Sequence, residues 1–168
     1  MKNIIIASTS TVHGSDYLEY LLDELNVFFE NAKTILFIPY ARPSGISHDT
    51  YTEKVKEAFS KINKTVIGIH TYKNPVSAIE KAEAIFVGGG NTFVLLNQLY
   101  KHNLLSVLKE TVNKGTPYVG TSAGSNICGL TIKNTNDMPI IYPPNFNALG
   151  LVSFNLNPHY LDPNATLK

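Results

Sequence analysis

The chain has 168 residues, a length that fits one domain. Hydrophobic residues make up 43% and charged residues 16%, enough apolar material for a core and too much for wholesale disorder. Fourteen basic against thirteen acidic side chains give a net charge of +1, with Arg42 the only arginine, so the basic stripe that nucleic-acid binding needs is missing.

Short runs rich in Ile, Val and Phe recur along the chain at residues 3–8, 34–40, 65–70, 84–88 and 117–120. They show little polar alternation, as strands buried on both faces do. The first of them is far too short for a signal-peptide core, and no apolar run reaches the roughly 18 residues of a membrane span. Between the strands lie helical patterns. Leu18, Leu21, Leu22, Leu25 and Phe29 repeat at three- and four-residue steps, with Ser15 or Asp16 placed to cap that helix. Val55, Ala58, Phe59 and Ile62 mark a second helix over 49–62, and 75–82 a third, entered through Pro75. Residues 92–108 read as one broken helix or two, stopped by Lys114-Gly115. This alternation predicts an α/β fold: a mostly parallel sheet with helices on both faces, joined by right-handed crossovers. Residues 130–150 break the rhythm with Pro139, Pro143 and Pro144 and read as an ordered loop or hairpin. No linker divides the chain, which points to one domain over 1–168.

In such sheets ligands bind beyond the C-terminal ends of the strands, so the chemistry is expected in the loops that follow them. Gly120-Thr121-Ser122-Ala123-Gly124 follows the fifth strand and precedes a short helix, the setting of a G-x-S-x-G nucleophile elbow. A serine on such a turn stands exposed above the sheet, and the N–H of Ala123 is placed for an oxyanion. Gly88-Gly89-Gly90-Asn91-Thr92 follows the fourth strand in the same way. Its backbone N–H groups suit either a second oxyanion donor or a bound phosphate. It does not fit a dinucleotide fingerprint, because Phe93 stands where the last glycine belongs.

A base must take the serine proton, and five histidines compete: His13, His48, His70, His102 and His159. His159 follows the apolar run 151–156 and would lie at the catalytic edge if that run is a strand. His48 and His102, among polar residues, read as solvated. Asp137 and Asp162 are the acids in reach of a role orienting the histidine, although Asp137 equally suits an Asx turn. Neither a metal nor a cofactor is implied. Cys128, the single cysteine, suits a reducing cytoplasm and reads as a small buried hydrophobe.

Five phrases in order then resemble the peptidase E family, the bacterial α-aspartyl dipeptidases. They are Phe37-Ile38-Pro39, the stretch from Val87 through Gly88, Gly89, Gly90, Asn91 and Thr92 to Phe93, the elbow around Ser122, Thr135-Asn136-Asp137-Met138-Pro139-Ile140, and Asn157-Pro158-His159. The resemblance implies a class I glutamine amidotransferase-like (flavodoxin-like) fold and a serine peptidase that hydrolyses dipeptides with N-terminal aspartate. It implies Ser122 as nucleophile, His159 as base, Asp137 as the relay acid, Gly90 and Ala123 as oxyanion donors, and Gly89 and Asn91 beside the substrate. Family members continue past the position of Lys168 into a segment with a further glutamate and basic residues. That difference sets up a second expectation, an inactive relative serving as a binding module or a fragment. Unpaired strands would favour a partner, in the simplest case a homodimer.

Overall fold

The computed structural model describes residues 1–159. Five strands form one parallel sheet: β1 (Ile4–Ala7), β2 (Thr34–Ile38), β3 (Thr65–Gly68), β4 (Ala84–Val87) and β5 (Tyr118–Thr121), in the order β1-β5-β4-β2-β3. The register sets Ile6 beside Gly120, Val87 beside Gly120 and Ile38 beside Val87. The loops after β1, β5, β4 and β2 therefore stand in a row along one edge.

Alternation within the strands divides the interior into two cores. Ile35, Phe37, Ala84, Phe86 and Val119 face α1 (Leu22–Phe28) and α2 (His48–Ser60), meeting Leu25, Phe29, Tyr51, Val55 and Phe59. Leu36, Ile38, Ile85, Val87 and Tyr118 face α3 (Pro75–Glu80), α4 (Thr92–Lys101), α5 (Leu105–Asn113) and α6 (Ala123–Asn126). Both faces of the central strands are covered, which is why their sequences are continuously apolar. Ser47, Asn74 and Asn91 cap α2, α3 and α4 by accepting backbone N–H groups.

Two local expectations fail. Neither Ser15 nor Asp16 caps a helix starting there. Leu18 takes a left-handed φ of 61° with its side chain fully buried, and α1 begins only at Leu22, after a 3-10 turn. Burial of one leucine outweighs the backbone preference. Residues 151–156 form bends and irregular chain, and no strand. Leu151 still enters the core, with its N–H on the carbonyl of Cys128 at 2.9 Å. The segment 130–150 is an ordered excursion pinned by an antiparallel bridge between Thr131 and Asn147. No helix among the described residues is long and apolar enough to cross a membrane.

Candidate active site

Ser122 occupies the turn between β5 and α6 with φ 51° and ψ −110°, outside every region that L-residues favour. The surroundings hold it there. Its N–H donates to the Ala7 carbonyl at 3.1 Å, and the buried Ser125 hydroxyl lies 2.6 Å from the Ala7 carbonyl and 2.7 Å from that of Gly120. The two motif glycines have a steric reason. A Cβ on Gly120 would strike the Gly124 carbonyl, and one on Gly124 would strike the Val87 carbonyl. Only without both side chains can α6 close onto the sheet directly behind the serine.

His159 reaches this turn from a loop 37 residues further on, and its Nε2 lies 2.7 Å from Ser122 Oγ. The backbone of His159 is held from both sides. Its own N–H donates to Ser8 Oγ at 2.7 Å, and the preceding loop is tied to the 130–137 segment. In those ties Asn136 Nδ2 donates to Asn157 Oδ1 at 3.0 Å, and Asn134 Nδ2 to the Leu156 carbonyl at 2.8 Å. The other histidines lie elsewhere. His48 and His102 pack their rings on Tyr40, and His70 packs on His48 while its Nε2 meets Asp49 Oδ1 at 2.9 Å. His48 is half-buried instead of solvated, and that burial, with His70 beside it, lowers its pKa. His13 is exposed in the loop after β1.

The Asp137 carboxylate does not hydrogen-bond the imidazole. Its Oδ2 accepts the N–H of Thr92, the first residue of α4, at 2.6 Å. Asp137 and His159 nevertheless line one small cavity of about 40 Å³, with Thr92, Ser122, Asn126 and Asn136 also in its wall. That volume admits water and no substrate. Asp162, the other acid considered, lies outside the described residues.

The glycine turn is braced against the loop after β2. The Asn91 N–H donates to the Ala41 carbonyl at 2.7 Å, and Gly90 takes φ +149° where a Cβ would strike that same carbonyl. Asn91 Oδ1 caps Val94 at 3.1 Å while its Nδ2 donates to the Met138 carbonyl at 2.8 Å. With Asp137 and Asn91 on the first N–H groups of α4, the place a phosphate would take is filled by protein oxygens. Gly89 backs directly onto the turn of Ser122: a Cβ there would lie 3.0 Å from Ser122 Cβ. Among the described residues the N–H groups of Gly90 and Ala123 find no hydrogen-bond partner. Cys128 follows α6 and is buried. Desolvation pushes its thiol up to about 12, so it stays protonated and unreactive at neutral pH.

Sequence reasoning missed Ser8, Thr92 and Asn126. Ser8 holds the His159 backbone, and Asn126 Nδ2 meets Thr92 Oγ1 at 3.2 Å in the cavity wall.

The model of peptidase family S51 matches residues 4–167. The chain is 52% identical over 158 residues to peptidase E of Shewanella amazonensis, a match covering 94% of this chain and 67% of that protein. It is 49% identical over 167 residues to a Drosophila melanogaster protein named "Probable alpha-aspartyl dipeptidase", covering 98% and 68%. The chain thus spans about two thirds of the length of these relatives. Among solved structures, a peptidase E-type protein of Listeria monocytogenes EGD-e superposes with a TM-score of 0.74 at 28% identity, covering 92% of this chain and 77% of that one. A peptidase from an acI-B1 Actinobacterium shares the fold with a TM-score of 0.69 at 18% identity, covering 95% and 69%.

Proposed function

The chain belongs to peptidase family S51, and from that membership we propose that it is a serine dipeptidase hydrolysing dipeptides that begin with aspartate. The observation that carries the reading is the 2.7 Å approach of Ser122 Oγ to His159 Nε2 on a strained strand-to-helix turn. In this reading His159 Nε2 takes the hydroxyl proton as Ser122 Oγ attacks the peptide carbonyl. The N–H groups of Gly90 and Ala123 receive the developing oxyanion. The imidazolium then returns its proton to the leaving amine, and the second amino acid departs. Water attacks the remaining ester with His159 again as base, releasing aspartate and restoring the serine.

Asp137 has a positioning role here. Its carboxylate shares a cavity wall with the imidazole, while its bond to the Thr92 N–H ties the 130–137 segment to the start of α4. Gly89 and Asn91 hold the turn against which the substrate lies. The compartment that suits this chain is the cytoplasm, where a lone thiol such as Cys128 stays reduced.

Ser122→Ala should lower hydrolysis of an aspartyl p-nitroanilide by about 1,000-fold or more, leaving the circular dichroism spectrum unchanged. A variant that turns over at the wild-type rate would end the assignment.

A further inference from the structure

Thr92 opens α4 and is 1% exposed, and three pieces of the site meet on it. Its hydroxyl accepts from Asn126 Nδ2 of α6 at 3.2 Å and from the Thr135 hydroxyl at 3.4 Å. Its N–H donates to Asp137 Oδ2 at 2.6 Å, and the Asp137 N–H donates to Thr135 Oγ1 at 3.3 Å. The same segment carries Asn134 and Asn136, whose amides hold the Leu156 carbonyl and Asn157 just ahead of His159. A continuous set of polar contacts thus runs from α6, which starts directly after Ser122, through Thr92 to the loop that delivers the imidazole.

That set is costly where it stands. Asn126 is 2% exposed, and among the described residues its Oδ1 finds no donor. A buried amide oxygen left unpaired costs more stability than one weak hydrogen bond contributes. The core on this face of the sheet is otherwise built from side chains such as Leu95, Leu96, Ile127 and Ile132. Valine at 92 and leucine at 126 would keep the shapes and leave no orphan. Stability therefore does not account for the polar pair. Hydrogen bonds supply what apolar contact lacks, a fixed orientation, and the site needs one. Ser122 and His159 lie 37 residues apart on separate pieces of chain, yet their reacting atoms meet at 2.7 Å.

We propose that Thr92 and Asn126 are positioning residues for the proton transfer from Ser122 to His159. The Thr92 hydroxyl, with Asn126 behind it, sets the 134–137 segment and through it the loop that holds the imidazole at bonding distance. This rests on the reading of Ser122 and His159 as nucleophile and base.

The test compares Thr92→Val, which keeps the shape and loses the hydroxyl, with Thr92→Ser, which keeps the hydroxyl. The backbone N–H on Asp137 survives in both. Labelling of Ser122 by a fluorophosphonate should slow at least about tenfold in Thr92→Val, and Thr92→Ser should recover the rate to within about threefold of wild type. Hydrolysis of an aspartyl p-nitroanilide should lose the same factor in kcat with KM little changed. Backbone hydrogen exchange over 153–159 should quicken in Thr92→Val, as the His159 N–H is released from Ser8 Oγ. The double variant Thr92→Val with Asn126→Leu makes both partners apolar. It should unfold in urea near the wild-type midpoint and still label slowly, which separates position from stability. If Thr92→Val does not fold, the double variant carries the test, together with Thr135→Val at the less buried end of the contact. The proposal is overturned if labelling and exchange in Thr92→Val match wild type. It is equally overturned if Thr92→Ser loses as much as Thr92→Val, or if labelling falls only with the folded fraction. Wild type that takes no label, with exchange that quickens in Thr92→Val, would remove the nucleophile reading and leave the positioning standing. Wild type that takes no label, with unchanged exchange, would remove both.

Discussion

At φ 51° and ψ −110°, the backbone of Ser122 is in a region that costs a non-glycine residue about 1–3 kcal/mol, and glycine much less. Removing the hydroxyl in two ways separates strain from chemistry. Ser122→Ala keeps the strain and Ser122→Gly relieves it, and both lack the hydroxyl. The glycine variant should be the more stable by about 1 kcal/mol in urea unfolding, after allowance for the extra freedom glycine gives the unfolded chain. Equal midpoints would mean that the turn stores no strain. The same strain made the position legible, because only a serine flanked by small residues can be carried on so sharp a turn. Asp137 was half legible. Its phrase marked it as important, but the competing Asx-turn reading expects a local bond, and the carboxylate instead accepts the N–H of Thr92, 45 residues away. Ser8 could not be found by reading, since the hydroxyl that holds the His159 backbone lies 151 residues away and a loop serine has no period.

Among elements, the start of β2 depends on a residue outside it. Glu83 Oε2 accepts the N–H groups of Lys33 at 2.6 Å and Thr34 at 2.9 Å, fastening the entry of β2 beside that of β4. The bonds from Thr34 and Lys33 hold the carboxyl below its ordinary pKa. The folded protein therefore releases this proton more readily than the unfolded chain. The stabilisation is present above the unfolded value of about 4.3 and fades as pH falls through the folded one. Glu83→Gln should lower the melting temperature at pH 7, and the gap to wild type should close toward pH 3. A gap that stays constant over that range would exclude the charge as its source. Strands such as β2 and β4 were readable because burial on both faces removes polar alternation. The start of α1 was not, because Leu18 abandons helical geometry to bury its side chain. Nor was the path of 151–156, an apolar run in which Leu151 fills the core from irregular backbone.

Over the whole molecule, the sheet separates two apolar layers, and the loops of the candidate site rise from the strand ends where both layers stop. Phe86 on β4 is central to one layer. Its ring stacks on Phe37 at 5.4 Å and meets Phe59 at 5.5 Å, all three fully buried. Truncation there leaves a cavity that rigid strands on either side cannot close. Phe86→Ala should therefore cost about 3–5 kcal/mol, a large part of the 5–15 kcal/mol that holds a domain together. Ser122 and His159 are held by Ala7, Ser8 and Ser125, none of which touches that ring in the bonds that fix them. Each folded molecule should keep its reactive serine, and the loss should appear only in the folded fraction. In a urea series, fluorophosphonate labelling and circular dichroism of the variant should fall at one shared midpoint, well below that of wild type. Labelling lost at urea concentrations where the dichroism is still native would show that the site draws its order from the far core, and not from the strand-end loops alone.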